Sequence, residues 1–313
     1  MPPVGRHQTR SEIDIAAPAD VVYGVIADPV RWPQFFAPTV HVERTGLGGG
    51  HERLRIWATG NGEVRNWTSL RKVDPDQRTV EFRQEVSAPP VRSMGGTWSV
   101  SSLGDGGVRL VLLHDFEAVD DDPEGVEWIR RATDENSGLE LGNLKRLAES
   151  WDRLGELVFS FEDSIHIDAA PEAVYGFLHD AGEWPKRLPH VAAMEFDETP
   201  DGVQTMAMRT RAKDGSTHLT ESVRVCFPAQ RIVYKQVVTP ALIAAHTGEW
   251  VLEKVDAGVL VRSRHTVTLN EKALDSVPGT AATPATTREV VRDAIGGNSR
   301  ATLALAKEFA ETG

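Results

Sequence analysis

Cysteine is nearly missing from this chain. Cys226 is the single one among 313 residues, so no intramolecular disulfide can form, and the usage fits a reducing, cytoplasmic address. In the strand-like run 223–227 its thiol reads as a small core residue rather than a nucleophile. Long apolar runs are missing too. Nothing reaches membrane-spanning length, and the opening MPPVGRHQTRSE has no apolar core, so no signal peptide is expected. Positive charge is in deficit: 34 Lys and Arg against 46 Asp and Glu give a formal net charge of −12. That argues against nucleic acid or an anionic membrane as the main partner. Basic pairs such as Arg130-Arg131 and Lys145-Arg146 fit a solvated helix face. There is no Gly-rich phosphate loop, no HExxH, no Cys/His metal spacing and no GxSxG. No metal and no cofactor is therefore expected.

What the chain does contain is one pattern used twice. Residues 19–33 read ADVVYGVIADPVRWP, and residues 171–185 read PEAVYGFLHDAGEWP. The match needs no gap and keeps a spacing of 152, which also pairs Ile13 and Ile15 with Ile165 and Ile167, and Trp98 with Trp250. Such a period is far longer than a solenoid repeat and indicates domain duplication. Two domains are expected, 1–156 and 157–313.

Within each copy the periodicities follow one order. A short alternating strand comes first. Pro18 then opens a helix, since its fixed φ suits a first turn, and Asp28-Pro29 closes it. A short turn around Trp32 follows, then about six strand-like runs separated by turn residues, then a long helix. That helix is expected over 126–157 in the first copy. In the second it is expected over 288–310, after a Pro/Ala/Thr-rich loop at 277–287. The class is α+β. An antiparallel sheet of about seven strands must cover its apolar face, and the long helix is the available partner. A curved sheet gripping one helix leaves a cavity suited to elongated apolar or aromatic ligands.

Strand alternation sorts the candidate residues by face. Over 63–72, Arg65, Trp67, Ser69 and Arg71 share one face. In the second copy His218, Thr220, Ser222, Arg224 and Cys226 share one. Taken alone, such an arginine reads as an exposed cross-strand charge, and Leu219, Val223 and Val225 could equally be the inward set. His114 shares the face of Val108, Leu110, Leu112 and Phe116, and His265 that of Val259, Val261 and Val267. A histidine there is ordinarily a satisfied core residue, but its recurrence in both copies supports a cavity role. Trp32, Trp67, Trp98, Trp184 and Trp250 read as core aromatics, some doubling as cavity walls.

Both halves resemble the aromatase/cyclases of bacterial type II polyketide synthases, whose helix-grip fold is shared with START and Bet v 1-type domains. The segments that carry the resemblance are APADVVYGVIADPVRWPQFF with AAPEAVYGFLHDAGEWP, GEVRNWTSLR with DGSTHLTESVR, LVLLHDF, and LGNLKRLAE. The resemblance implies two tandem helix-grip domains and a polyketide cyclase/dehydratase. Such an enzyme directs aldol closure and dehydration of the first ring of a ketoreduced poly-β-ketone. Its implied partners are the acyl carrier protein bearing that chain and other type II synthase subunits. It turns the strand arginines inward and implies catalytic roles for Arg71, His114, Arg224 and His265. Substrate contacts are implied for Trp32, Trp67, Ser69, Asn143, Trp184 and Ser222. Departures from the family pattern fall at Thr39, Val191, Thr220 and Thr302, the last near the place of Asn143. The competing expectations are a non-catalytic carrier of the same fold, and an interaction module with an exposed apolar patch and no enclosed cavity.

Overall fold

The computed structural model describes residues 5–60, 62–104, 106–211, 215, 217–276 and 283–312. The chain divides into two compact units, Met1–Arg153 and Leu154–Gly313. Each is a seven-stranded, wholly antiparallel sheet with a long helix.

In the N-terminal unit, β1 (His7–Ile15) leads to α1 (Ala19–Ala27) and the single turn α2 (Trp32–Phe35). Strands β2 (Thr39–Gly48), β3 (His51–Gly60), β4 (Glu63–Asp74), β5 (Thr79–Gln84), β6 (Val91–Ser102) and β7 (Val108–Ala118) follow as a meander. The strand order is β1-β7-β6-β5-β4-β3-β2, so the first strand returns to pair with the last. Helix α3 (Pro123–Glu149) completes the unit, and α4 (Trp151–Leu157) runs on from it. The C-terminal unit repeats the plan with β8 (Val158–Ile167), α5 (Pro171–His179) and α6 (Trp184–Arg187). Then come β9 (Val191–Glu198), β10 (Val203–Arg211), β11 (Thr217–Phe227), β12 (Arg231–Val238), β13 (Ile243–Lys254), β14 (Val259–Leu269) and α7 (Pro284–Thr312).

Local chemistry sets the helix limits. Pro18 is the N-cap of α1 and Asp28 its C-cap, and Val22, Val25 and Ile26 form its buried stripe. The expected helix over 126–157 is two helices. It begins earlier, at Pro123, where the Asp122 carboxylate accepts from Gly125 N at 2.8 Å. It breaks at Ser150, whose ψ of 17° is not helical. Helix α7 likewise starts at Pro284 rather than 288, because proline suits the first turn. Of the loop expected at 277–287, residues 277–282 lie outside the described residues.

The long helices correspond at a spacing of 162, and both are tied to their first strand by the same bonds. Lys145 Nζ donates to Asp14 O and Ala16 N to Glu149 Oε1, while Lys307 Nζ donates to His166 O and Asp168 N to Glu311 Oε1. The C-terminal half of each helix packs down. Leu141, Leu144 and Ala148 join the core of Ile15, Val22 and Leu110, and Leu303 and Ala306 join that of Ile167, Val174 and Val259. In the C-terminal unit the packing leaves a cavity of about 310 Å³ beside the middle of the helix.

Candidate functional site

The first question is which way the strand arginines point. On β4, Ser69 and Arg71 are buried while Leu70 between them is 43% exposed. On β11, Thr220, Ser222 and Arg224 line the cavity with His218, while Leu219 is exposed and Val223 and Val225 take no part in the lining. The guanidinium face is the inner one in both sheets. Apolar neighbours could not reveal this, because both faces of β11 are buried near its end.

Each arginine is held by the helix that opens its repeat. Arg71 Nη2 donates to Ile26 O at 3.0 Å, and Arg224 Nη2 to Leu178 O at 2.6 Å. Each also lies over the indole that follows: Arg71 is 5.4 Å from the Trp32 ring, and Arg224 is 5.1 Å from Trp184 and 5.7 Å from Trp250. Those indoles are themselves tethered, Trp32 Nε1 to Val25 O and Trp184 Nε1 to Phe177 O. The duplicated stretch therefore encodes a cradle for a buried cation. Burial holds Arg71 below the usual arginine range, to about 10, and lowers Arg224 as well. Both remain cations at neutral pH. Glu52 forms an ion pair with Arg71 Nε at 3.4 Å, without hydrogen-bond geometry.

The histidines stand on the last strand of each sheet, opposite a glycine of its neighbour: Gly96 faces His114, and Gly248 faces His265. A Cβ on Gly96 would strike the Phe82 ring, and one on Gly248 the Tyr234 ring. The missing side chains let those rings lie across the sheet toward the histidines. Phe82 meets His114 edge to face at 5.6 Å. Tyr234 Oη instead shares a hydrogen bond with His265 Nδ1 at 3.0 Å. His246 Nε2 is 3.1 Å from the same nitrogen, and Ser263 Oγ lies 3.1 Å from His265 Nε2 and 2.7 Å from Ser299 Oγ. Burial lowers His114 and His265 to about 4 and His246 to about 3, so all three are neutral at pH 7.

The remaining expected residues are spread more widely. Ser69 Oγ donates to Arg83 O at 3.1 Å. Trp67 is half-buried against Val42, Leu54 and Ile56, on the same strand face as Arg71. Ser222 lines the cavity beside Arg224, and Thr220 stands at the place of Trp67. Asn143 is half-buried on α3 and its Oδ1 accepts from Arg146. The helix pairing sets Thr302 opposite Glu140, not Asn143, and Thr302 lines the C-terminal cavity. Glu140 keeps accessible surface, yet the protein around it pushes its carboxyl up to about 7. Sequence reading missed Glu140, Tyr234, His246, Ser263 and Ser299. The repeat register contained a signal for two of them, pairing Tyr234 with Phe82 and His246 with Met94.

With this geometry in place, the comparison with known proteins is direct. A family model described as polyketide cyclase/dehydrase and lipid transport matches residues 6–149 and again 158–310. The chain belongs to this cyclase/dehydrase family. Among its relatives, the granaticin polyketide synthase bifunctional cyclase/dehydratase of Streptomyces violaceoruber is 43% identical over 306 residues, covering 97% of this chain and 94% of the relative. The actinorhodin polyketide synthase bifunctional cyclase/dehydratase of Streptomyces coelicolor is 42% identical over 309 residues, covering 96% and 95%. Two crystal structures of di-domain aromatase/cyclases match the whole cyclase. BexL of the BE-7585A biosynthetic pathway has a TM-score of 0.90 and 48% identity over 97% of this chain and 99% of that one. StfQ of the steffimycin pathway has a TM-score of 0.86 and 31% identity over 97% and 98%. Each of the two matched segments of the cyclase contains one of the two buried arginine–indole cradles and the histidine of its own last strand, His114 or His265.

Proposed function

We propose that this cyclase closes and dehydrates the first ring of a ketoreduced poly-β-ketone held as a thioester on an acyl carrier protein. It would work in the cytoplasm among the other subunits of a type II polyketide synthase. The observation that carries the reading is a fixed, buried guanidinium beside an indole, on the same inner sheet surface as a neutral imidazole.

A poly-β-ketone can close in several registers, so the first task is to hold one fold. Tryptophan walls do this by orienting the chain, which raises the effective concentration of the two reacting carbons. In aldol closure, a base removes a proton between two carbonyls, the resulting enolate carbon attacks a distant carbonyl carbon, and that oxygen becomes an alkoxide. Arg71 is too weak an acid to give up its proton. It serves as a preorganised positive charge for the enolate or alkoxide oxygen. Proton transfer falls to groups that can exchange near neutrality. His114 is neutral and able to accept, but its lowered basicity makes it a modest base. Glu140, whose carboxyl is pushed up to about 7, is better matched to taking the carbon-bound proton and passing it to the alkoxide, and then to moving a second carbon-bound proton onto the departing hydroxyl. Loss of water then yields the aromatic ring. In the second cavity Arg224 and His265 stand in the corresponding positions, with Trp184, Thr220 and Ser222 as walls.

The test is reconstitution with a minimal polyketide synthase, with and without ketoreductase. Addition of the cyclase should redirect shunt products toward one aromatic product. An unchanged product profile would remove the enzyme reading and leave a carrier.

A further inference from the structure

The two arginines are equally buried but not equally compensated. Glu52 stands directly across the strand pair from Arg71, with its carboxylate at 3.4 Å. Directly across from Arg224 stands Gln204, fully buried and uncharged. Its amide donates to His179 O at 3.1 Å instead. The carboxylate of Glu198, whose field reaches Arg224, is paired with His179 at 3.0 Å. Among the described residues, no carboxylate forms an ion pair with Arg224. Its Nε and Nη1 are buried and make no hydrogen bond.

The cavity that Arg224 lines supplies no counter-charge either. Among the described residues its lining includes no aspartate and no glutamate, and His246 and His265 are neutral. Arg224 is therefore the one permanent charge among the described residues of that lining. A cation in such surroundings is costly to bury, and arginine cannot relieve the cost by losing its proton. A ligand that brings a negative charge does relieve it. With Nε and Nη1 unpartnered, the guanidinium charge is left uncompensated, and an anionic group held in the adjoining cavity would offset it. The indoles of Trp184 and Trp250, within 5.7 Å of the guanidinium, suit a flat ring system. The volume of about 310 Å³ is at the small end for a ligand site.

We propose that the C-terminal cavity is a binding site for a planar aromatic carboxylate, and that Gln204, standing across from Arg224 as Glu52 stands across from Arg71, is what leaves that charge free to receive the anion. Such binding requires no turnover, so it stands or falls separately from the cyclase chemistry.

The experiment is calorimetric titration of the full chain at neutral pH with 2-naphthoate and with its neutral isostere 2-naphthamide. Naphthoate should bind one site per chain, about tenfold or more tighter than the amide. Gln204→Glu should weaken naphthoate about tenfold while leaving the amide unchanged. Arg224→Gln, shown to be folded by circular dichroism, should abolish the preference for the acid over the amide. Equal affinity for acid and amide, or no naphthoate binding at all, would overturn the proposal. A folded Arg224→Gln chain that still prefers the acid would overturn the proposal, even if Gln204→Glu failed to fold.

Discussion

Tyr234 Oη lies 3.0 Å from His265 Nδ1, whereas Phe82, at the same place in the first unit, offers His114 only a ring edge. That hydroxyl, together with His246 where the first unit has Met94, builds a hydrogen-bonded network on His265. Tyr234→Phe should remove that bond and leave the ring in place, at a cost of about 1 kcal/mol in unfolding free energy. Urea denaturation of the variant and the wild type measures it. No change would mean that His246 and Ser263 already satisfy His265.

The histidines make stability depend on acid. An unfolded histidine takes up its proton near about pH 6.5, while folded His246 and His265 resist protonation down to about 3 and about 4. Between those limits the unfolded chain holds more protons. Stability is therefore full above about pH 6.5 and is lost as pH falls toward 4, by up to about 1.4 kcal/mol per pH unit for each group. His246→Gln should lose less stability than the wild type between pH 7 and pH 5 in matched urea titrations.

Glu140 has the opposite sign. Its folded carboxyl titrates at about 7, above an ordinary glutamate. The stability linked to it is present below the ordinary carboxylate range and is lost as pH rises through about 7. Relative to wild type, Glu140→Gln should gain stability across that window. If Glu140 carries the proton, the same variant should also lose the limb near pH 7 from the rate profile. A profile with that limb intact would assign the proton to another group.

Gly248 is a packing requirement of the same site. An added methyl would collide with the Tyr234 ring and with Arg264 O. Gly248→Ala should cost about 1–3 kcal/mol. Gly297, whose added Cβ meets nothing within 4 Å, provides the comparison for a bare glycine-to-alanine change. Thermal unfolding of the two variants separates them.

Much of this fold was legible because the chain states it twice. The cap residues Pro18 and Asp28, the paired isoleucines and the recurring Trp-Pro gave the same elements in both halves, and the structure has seven strands and a long helix in each. The break at Ser150 was not legible, because the apolar spacing runs through it unbroken into Leu154 and Leu157. The facing of Arg224 was not legible either. Its alternate neighbours Val223 and Val225 are also buried, so alternation lost its contrast where it was needed. Glu140 reads as an ordinary helix glutamate in the sequence, because the surroundings that raise its carboxyl come from packing and not from its neighbours in the chain. Tyr234, His246, Ser263 and Ser299 come from three strands and a helix, and only the folded chain brings them to one imidazole.

The central claim is that a buried, indole-backed arginine stabilises the oxygen on which charge develops during ring closure. The most direct measurement is aromatic product formed in a reconstituted synthase by the wild type, Arg71→Gln and Arg224→Gln, each shown to be folded by circular dichroism. The account predicts that Arg71→Gln lowers the rate about 10²–10³-fold, as loss of an oxyanion donor does. Wild-type rates in both variants would contradict it.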